Sequence, residues 1–148
     1  MAKDRSRGKV KPRKENIREE RKTLGNRELL TFSFKCLDQT QPKGKLETIS
    51  LWEQEGLLNP LVNRLKELST LTRDEAIFQK QIKIYGNFPP KDKTDFKHPS
   101  HVEDNVAWGV IENIGGLPRV AGFIQESTFY IVFLDSKHRF WISTLKHT

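Results

Sequence analysis

Histidine and arginine in the last third of the chain could cleave RNA without a metal ion. Such a reaction needs a base for the 2′-hydroxyl, a cation beside the charged phosphorane and an acid for the leaving oxygen. His138 suits the acid–base steps, since it follows a very apolar stretch and precedes Arg139. Arg119 could stabilise the phosphate. We therefore take Arg119, His138 and Arg139 as candidate catalytic residues.

A second group of residues could bind RNA. Trp141 could stack on an unpaired base, as aromatic side chains do in RNA-binding proteins. The lysines of a long polar loop, two loop histidines and one lysine near the C-terminus could contact phosphates or sugars. The candidate substrate-binding residues are thus Trp141, Lys91, Lys93, Lys97, His98, His101 and Lys146.

Each of these residues also has a structural interpretation. His138 could be a turn residue in solvent, and Arg119 could pair across strands with a carboxylate such as Glu112. Trp141 could cover the core with its ring. The lysines could form a solvated charge run. The sequence leaves both interpretations open.

Two histidines three residues apart, His98 and His101, raise the question of zinc. No cysteine pair accompanies them, and the single cysteine, Cys36, is predicted to be buried on a strand and unreactive. Gly115-Gly116 follows a strand but opens no helix, so it is not a phosphate-binding loop. We predict no metal site and no cofactor.

The positive charge of the chain is concentrated at its N-terminus. The net charge is +7, and residues 1–14 alone carry seven Lys or Arg against one Asp. Such an arm binds phosphates without reading sequence, and its binding weakens with salt. We predict a flexible basic arm over 1–28, disordered over its first part. Its candidate nucleic-acid contacts are Lys3, Arg5, Arg7, Lys9, Lys11, Arg13 and Lys14.

The sequence also predicts where the protein resides. It has no run of eighteen apolar residues, which a membrane helix requires, and its start lacks the apolar stretch of a secretory signal. A lone cysteine gives no sign of an oxidising compartment. We expect a cytoplasmic protein that does not bind a membrane.

The helices that would support these residues come early in the chain. Leu30 to Cys36 alternate as in a half-buried strand. A predicted capping box, Ser50 with Glu53, starts a short helix at Trp52. Leucines and Val62 at three- and four-residue spacing then indicate an amphipathic helix over 58–68. Thr72 with Glu75 opens another helix, over 73–81.

The remaining elements are a loop and strands. Residues 85–105 are predicted to be loop, and strands are predicted near 106–110, over 117–125 and over 128–135, with an edge piece at 139–142. In the last full strand, Phe129, Ile131 and Phe133 are predicted on one face and Tyr130, Val132 and Leu134 on the other.

These elements predict an α+β fold. An N-terminal strand and two to three helices precede a three- to four-stranded antiparallel meander, with the helices on one face of the sheet. We predict that residues 29–148 form a single domain, preceded by the basic arm.

The C-terminal strands resemble a known family. The segment 119–124, a short turn and the segment 129–134 look like the hairpin of the RelE/ParE toxin superfamily, in which a strand begins with arginine and returns as a very apolar strand. Lys137 to Trp141 is similar to that family's basic segment ending in an aromatic. The ending YIVFLDSKHRFW also resembles small uncharacterised bacterial proteins.

This resemblance implies a toxin-type, metal-independent endoribonuclease or translation inhibitor of a bacterial toxin–antitoxin pair. RNA would be its target, free or on the ribosome, and an antitoxin would cover its helices or extend its sheet. The alternative is a non-catalytic nucleic-acid-binding or ribonucleoprotein assembly protein that uses the arm. A third possibility is an unrelated small domain with a solubilising tail.

Overall fold

The computed structural model describes residues 28–143, which fold as an α+β structure. Within them lie three helices, a short 3₁₀ turn and a five-stranded sheet. The helices are α1 (Ile49–Gln54), α2 (Leu58–Leu68) and α3 (Arg73–Phe78), and the 3₁₀ turn is Lys91–Lys93. The strands are β1 (Thr31–Ser33), β2 (Lys83–Gly86), β3 (Ala107–Ile111), β4 (Arg119–Gln125) and β5 (Thr128–Asp135).

The sheet is mixed, with strand order β1-β5-β4-β3-β2. Strands β3, β4 and β5 form the predicted antiparallel meander, and Glu126-Ser127 makes the predicted turn between the last two. The first strand departs from an all-antiparallel sheet, because β1 runs parallel to β5 with Thr31 opposite Thr128. The helices carry the chain from β1 to the opposite edge of the sheet, at β2.

Strand β2 lies where the sequence predicts the end of a helix and the start of a loop. Helix α3 ends at Phe78 instead of residue 81, and Lys80 has a positive φ of 59°. Strand β2 then pairs antiparallel with β3, with a register shift between Ile84 and Gly86. Four residues with an irregular register are too few to show the period-two pattern of a strand.

The helix starts follow local capping, although one differs from its prediction. The Thr72–Glu75 capping box is confirmed: Thr72 Oγ1 accepts from the Glu75 amide at 3.1 Å, and Glu75 Oε1 accepts from the Thr72 amide at 2.9 Å. The predicted box at Ser50 is wrong. Thr48 caps α1 instead, accepting from the Leu51 amide at 3.0 Å, so Ser50 lies inside the helix.

The strands divide their side chains between two hydrophobic clusters. The first lies under the helices, as predicted, although Val62 points to solvent. The second lies on the other face and is covered by the loop 87–106 and by the segment 136–143, which we call the C-terminal segment. It contains Phe96, Val102, Val106, Trp108, Val110, Ala121, Phe123, Val132, Phe133 and Phe140.

A β-bulge in β5 changes which residues share a face. Ala121 pairs with Phe133 and Gly122 with Ile131, so Val132 has no partner residue in the register. Val132 and Phe133 both join the second cluster, and Leu134 joins the first. The predicted alternation therefore holds up to Val132 and is wrong for Phe133 and Leu134. The carbonyl oxygen of Val132 accepts from the Asp38 amide at 2.7 Å.

The first predicted strand is shorter than expected, and the last predicted strand is not formed. Strand β1 stops at Ser33, because the chain turns at Lys35 and Cys36, and Cys36 is half-buried instead of buried. Residues 139–142 do not form an edge strand. They lie against the loop, where Asp95 donates its amide to the Arg139 carbonyl at 3.0 Å.

The described part of the chain also bears on membrane insertion. Between residues 28 and 143, no helix has the length and apolar character needed to cross a bilayer.

Gly122 provides a test of this sheet. A Cβ atom at Gly122 would overlap the backbone carbonyl oxygen of Tyr130, so Gly122→Ala must displace β5. We expect a loss of at least about 3 kcal/mol in the free energy of unfolding. Gly56→Ala is the matched control, since its Cβ meets open space and only its positive φ costs about 1–2 kcal/mol. Urea unfolding would measure both, and equal losses would contradict the packing described.

Candidate functional site

Arg119 is held in an ion-pair cluster at the end of the sheet. Its Nη1 donates to Glu112 Oε2 at 2.7 Å, and Lys83 Nζ lies 3.1 Å from Glu112 Oε1. The Arg119 side chain is only 12% exposed. The structural interpretation of Arg119, a partner for Glu112, is therefore observed directly.

This cluster shifts the titration of Glu112. Partial burial by itself would raise the pKa of the carboxyl. The hydrogen bond from Lys83 and the charges of Arg119 and Lys83 outweigh burial, and the pKa of Glu112 lies below its ordinary value of 4.5. Glu112 is thus stabilised as a carboxylate that joins β2 and β4.

His138 occupies a tight turn after β5. Its φ is +58°, a left-handed conformation typical of turn residues. Its Nε2 lies 2.9 Å from the carbonyl oxygen of Trp141 and so carries the proton that this bond requires. The ring is half-buried, and one of its nitrogens serves to hold the turn.

Two buried carboxylates fix this turn. Asp135, which is 0% exposed, accepts from the amides of Arg139 and Phe140, each at 2.9 Å. Glu47, which is 3% exposed, accepts from Ser136 through its amide at 3.1 Å and its hydroxyl at 2.9 Å, and from Trp52 Nε1 at 2.9 Å. The C-terminal segment is thereby tied to α1.

The buried position of Asp135 changes its acidity. Burial raises the pKa of its carboxyl, and the nearby Glu47 carboxyl adds to this effect. The two backbone hydrogen bonds and the charge of Arg119 oppose them, but the pKa of Asp135 remains above its ordinary value. The Asp135 carboxyl that holds the turn of His138 therefore binds its proton more tightly than an ordinary aspartate.

Arg139 lies at the wall of a basic groove. Its Nε is 3.8 Å from Asp95 Oδ2, and its carbonyl accepts from Asp95 and Thr94. The groove is a cavity of about 430 Å³. We define it by its lining residues, Pro42, Lys43, Gly44, Lys45, Asp95 and Arg139.

Trp141 forms an aromatic stack with Tyr85. Their ring centroids are 4.3 Å apart and their planes differ by 15°. Trp141 packs against the second cluster, whereas Tyr85 on the edge strand β2 is 41% exposed. Trp141 thus covers the core, as its structural interpretation holds, and it also supports an exposed ring.

Three predicted lysines lie near these features. Lys91 and Lys93 form the 3₁₀ turn, and the Lys93 carbonyl accepts from the Ile142 amide at 2.8 Å, directly beside Trp141. The backbone of Lys97 makes two hydrogen bonds with the side chain of Gln41, at 2.6 and 2.9 Å. Lys146 and the seven arm residues lie outside the described residues.

The two loop histidines have different surroundings. His98 Nδ1 lies 3.0 Å from the Pro99 carbonyl, and its ring packs against Phe88 and Trp108. His101 Nε2 lies 2.9 Å from the Cys36 carbonyl. Across residues 28–143, no cluster of three or more His, Cys, Asp or Glu side chains could hold a metal ion.

The structure brings the candidate catalytic residues around Asp135 without joining them to one another. Arg119 is the register partner of Asp135, and Arg139 donates its amide to it. Within residues 28–143, however, no hydrogen bond links Arg119, His138 and Arg139. Each of their polar side chains contacts a different partner.

Family models, curated proteins and solved structures give no match to this chain. Sequence reasoning missed Tyr85, because it was predicted to begin a loop, and it missed Lys43 and Lys45. The available signal for the lysines was the exposed basic turn Pro-Lys-Gly-Lys at 42–45.

Replacing Glu47 tests the anchor of the C-terminal segment. In Glu47→Gln, the amide group must face at least one of the donors that now bind a carboxylate oxygen. We expect a loss of about 1–3 kcal/mol in the free energy of unfolding. Glu53→Gln, an exposed change on α1, should stay within about 0.5 kcal/mol of the wild type. Equal effects of the two changes in urea unfolding would refute the anchor.

The lowered pKa of Glu112 predicts a dependence of stability on pH. Because its folded-state pKa lies below the ordinary value, its contribution is present above about pH 4.5 and lost as pH falls through the folded-state pKa. The stability difference between wild type and Glu112→Gln should shrink below that pH. Lys83→Gln should weaken this dependence. Urea unfolding measured from neutral pH to about pH 3 checks this pH dependence. A stability difference between wild type and Glu112→Gln that stays constant over this range would argue against the ion-pair cluster.

Proposed function

We propose that this protein binds RNA without cleaving it and that its basic arm supplies most of the affinity. The observation that carries the proposal is the charge distribution. Residues 1–14 hold seven of the 26 Lys and Arg residues but one of the 19 Asp and Glu residues. The rest of the chain is nearly neutral, so attraction to a phosphate backbone comes mainly from the arm.

The contacts of the candidate catalytic residues favour binding over cleavage. General acid–base catalysis needs an acid, a base and a phosphate-stabilising cation that reach the same substrate atoms. Arg119 is paired with Glu112, and His138 is bonded to the Trp141 carbonyl. These side chains have structural tasks that account for their positions.

RNA is the nucleic acid that fits this proposal best. The exposed ring of Tyr85 suits an unpaired base, which proteins recognise mainly in RNA. The proposal includes a cytoplasmic location, where RNA is available to the protein. Assembly with a ribonucleoprotein is a form of the same activity, with the arm on RNA and the folded part on a protein.

The test compares the full-length wild-type chain with two full-length variants. In one, the seven arm lysines and arginines are replaced by glutamine; in another, residues 2–14 are shuffled with their charge intact. Neutralisation should weaken binding to single-stranded RNA strongly and reduce the slope of log affinity against log salt by up to about five. Shuffling should leave both unchanged, since the contacts are with phosphates. Fluorescence anisotropy across a salt series measures both quantities.

The same reactions test the endoribonuclease hypothesis. Intact RNA after prolonged incubation, with arm-dependent affinity, supports the binding proposal. Cleaved RNA would overturn it, and loss of cleavage in an Arg119→Lys, His138→Asn variant would then assign those residues to catalysis. Asparagine is chosen at 138 because it tolerates the positive φ. Growth arrest on expression, relieved by an antitoxin, would support the toxin hypothesis.

A further inference from the structure

We propose that the basic groove and the aromatic stack form one site for single-stranded RNA, in which the groove holds a phosphate and Tyr85 stacks on a base. This inference rests on the proposed RNA binding and adds a second contact region to the arm. The site includes Lys43, Lys45 and Tyr85, which the sequence analysis did not predict as functional residues.

The charge of the groove suits an anion. Three cationic side chains, Lys43, Lys45 and Arg139, face one carboxylate, Asp95. The Arg139–Asp95 contact, at 3.8 Å, is much longer than the 2.7 Å contact of Arg119 with Glu112. Within residues 28–143, the Arg139 guanidinium makes no hydrogen bond, so its donors remain available to a phosphate.

Hydrogen bonds fix the backbone on both walls of the groove. On one wall, Lys45 donates its amide to the Pro42 carbonyl at 3.0 Å, and the side chain of Gln41 makes two hydrogen bonds with the Lys97 backbone. On the other wall, Asp135 fixes the backbone of Arg139. A site held in place before binding loses less entropy when the ligand arrives.

The aromatic stack pairs a partly buried ring with an exposed one. Trp141 is the inner ring, packed on the second cluster, and Tyr85 is the outer ring. One face of Tyr85 lies against Trp141 and 41% of the residue is exposed, so the proposed site places the base on the opposite face of the ring. A nucleobase there would extend the stack, an interaction that every base can make.

The two parts are close enough to serve one strand. Arg139 and Trp141 are two residues apart, so their Cα atoms are separated by no more than about 7 Å. The Lys93 carbonyl accepts from the Ile142 amide, so the 3₁₀ turn with Lys91 lies beside the C-terminal segment. The proposed site therefore takes a phosphate in the groove and a base on Tyr85 from the same strand.

The experiment uses the full-length chain and two probes, a fluorescein-labelled oligouridylate of about twelve nucleotides and its abasic counterpart. Lys43→Gln with Lys45→Gln should reduce the salt slope by about 0.7 on both probes, because one phosphate is no longer neutralised. Tyr85→Leu keeps an apolar contact with Trp141 but removes the ring. It should weaken oligouridylate binding roughly five- to a hundredfold and leave abasic binding unchanged.

Matched controls separate the site from general charge. Lys66→Gln with Lys80→Gln removes two exposed lysines from the helical part and should change neither slope nor affinity beyond a small uniform effect. Unfolding curves verify that every variant is folded. Absence of RNA binding by the wild type would sink the proposed function itself. Arm-dependent binding that ignores both the lysine and the Tyr85 changes would overturn this site and leave the function standing.

Discussion

Two buried carboxylates determine how the far side of this protein is built. Glu47 and Asp135 have almost no exposed surface, yet both carry oxygen atoms that must be hydrogen-bonded. Backbone amides of the C-terminal segment and the Trp52 indole meet this demand. Because the donors come from α1 and from the C-terminal segment, satisfying the carboxylates forces these distant parts of the chain together.

The hydrogen bonding of Glu47 and Asp135 also positions the other residues that cover the second cluster. With residues 136–140 fixed, Phe140 enters the second cluster and Trp141 reaches Tyr85 at the sheet edge. Loop 87–106 then packs beside the C-terminal segment instead of crossing open solvent. The sequence predicts helices on one face only. In the structure the other face is covered as well, by irregular chain held through aromatic side chains and a few backbone hydrogen bonds.

Local signals were enough to predict the helices and the meander. Alternating apolar residues marked β3, β4 and β5, and the capping box marked the start of α3, since these depend on neighbours in sequence. The parallel pairing of β1, the short β2 and the anchoring of Ser136 by Glu47, 89 positions away, depend on distant residues. The pairing of Arg119 with Glu112 could be anticipated, because both flank one hairpin.

The bulge at Val132 has a consequence for how β5 could change in length. Upstream of it, odd-numbered residues face the helices; downstream, even-numbered Leu134 does so and Asp135 lies on the opposite side. The extra residue is absorbed locally, so deletion of Val132 would restore regular alternation without reversing any later side chain. A one-residue deletion usually inverts a strand. Here it would keep Asp135 facing the C-terminal segment, and it would remove the buried Val132 side chain and the acceptor for the Asp38 amide.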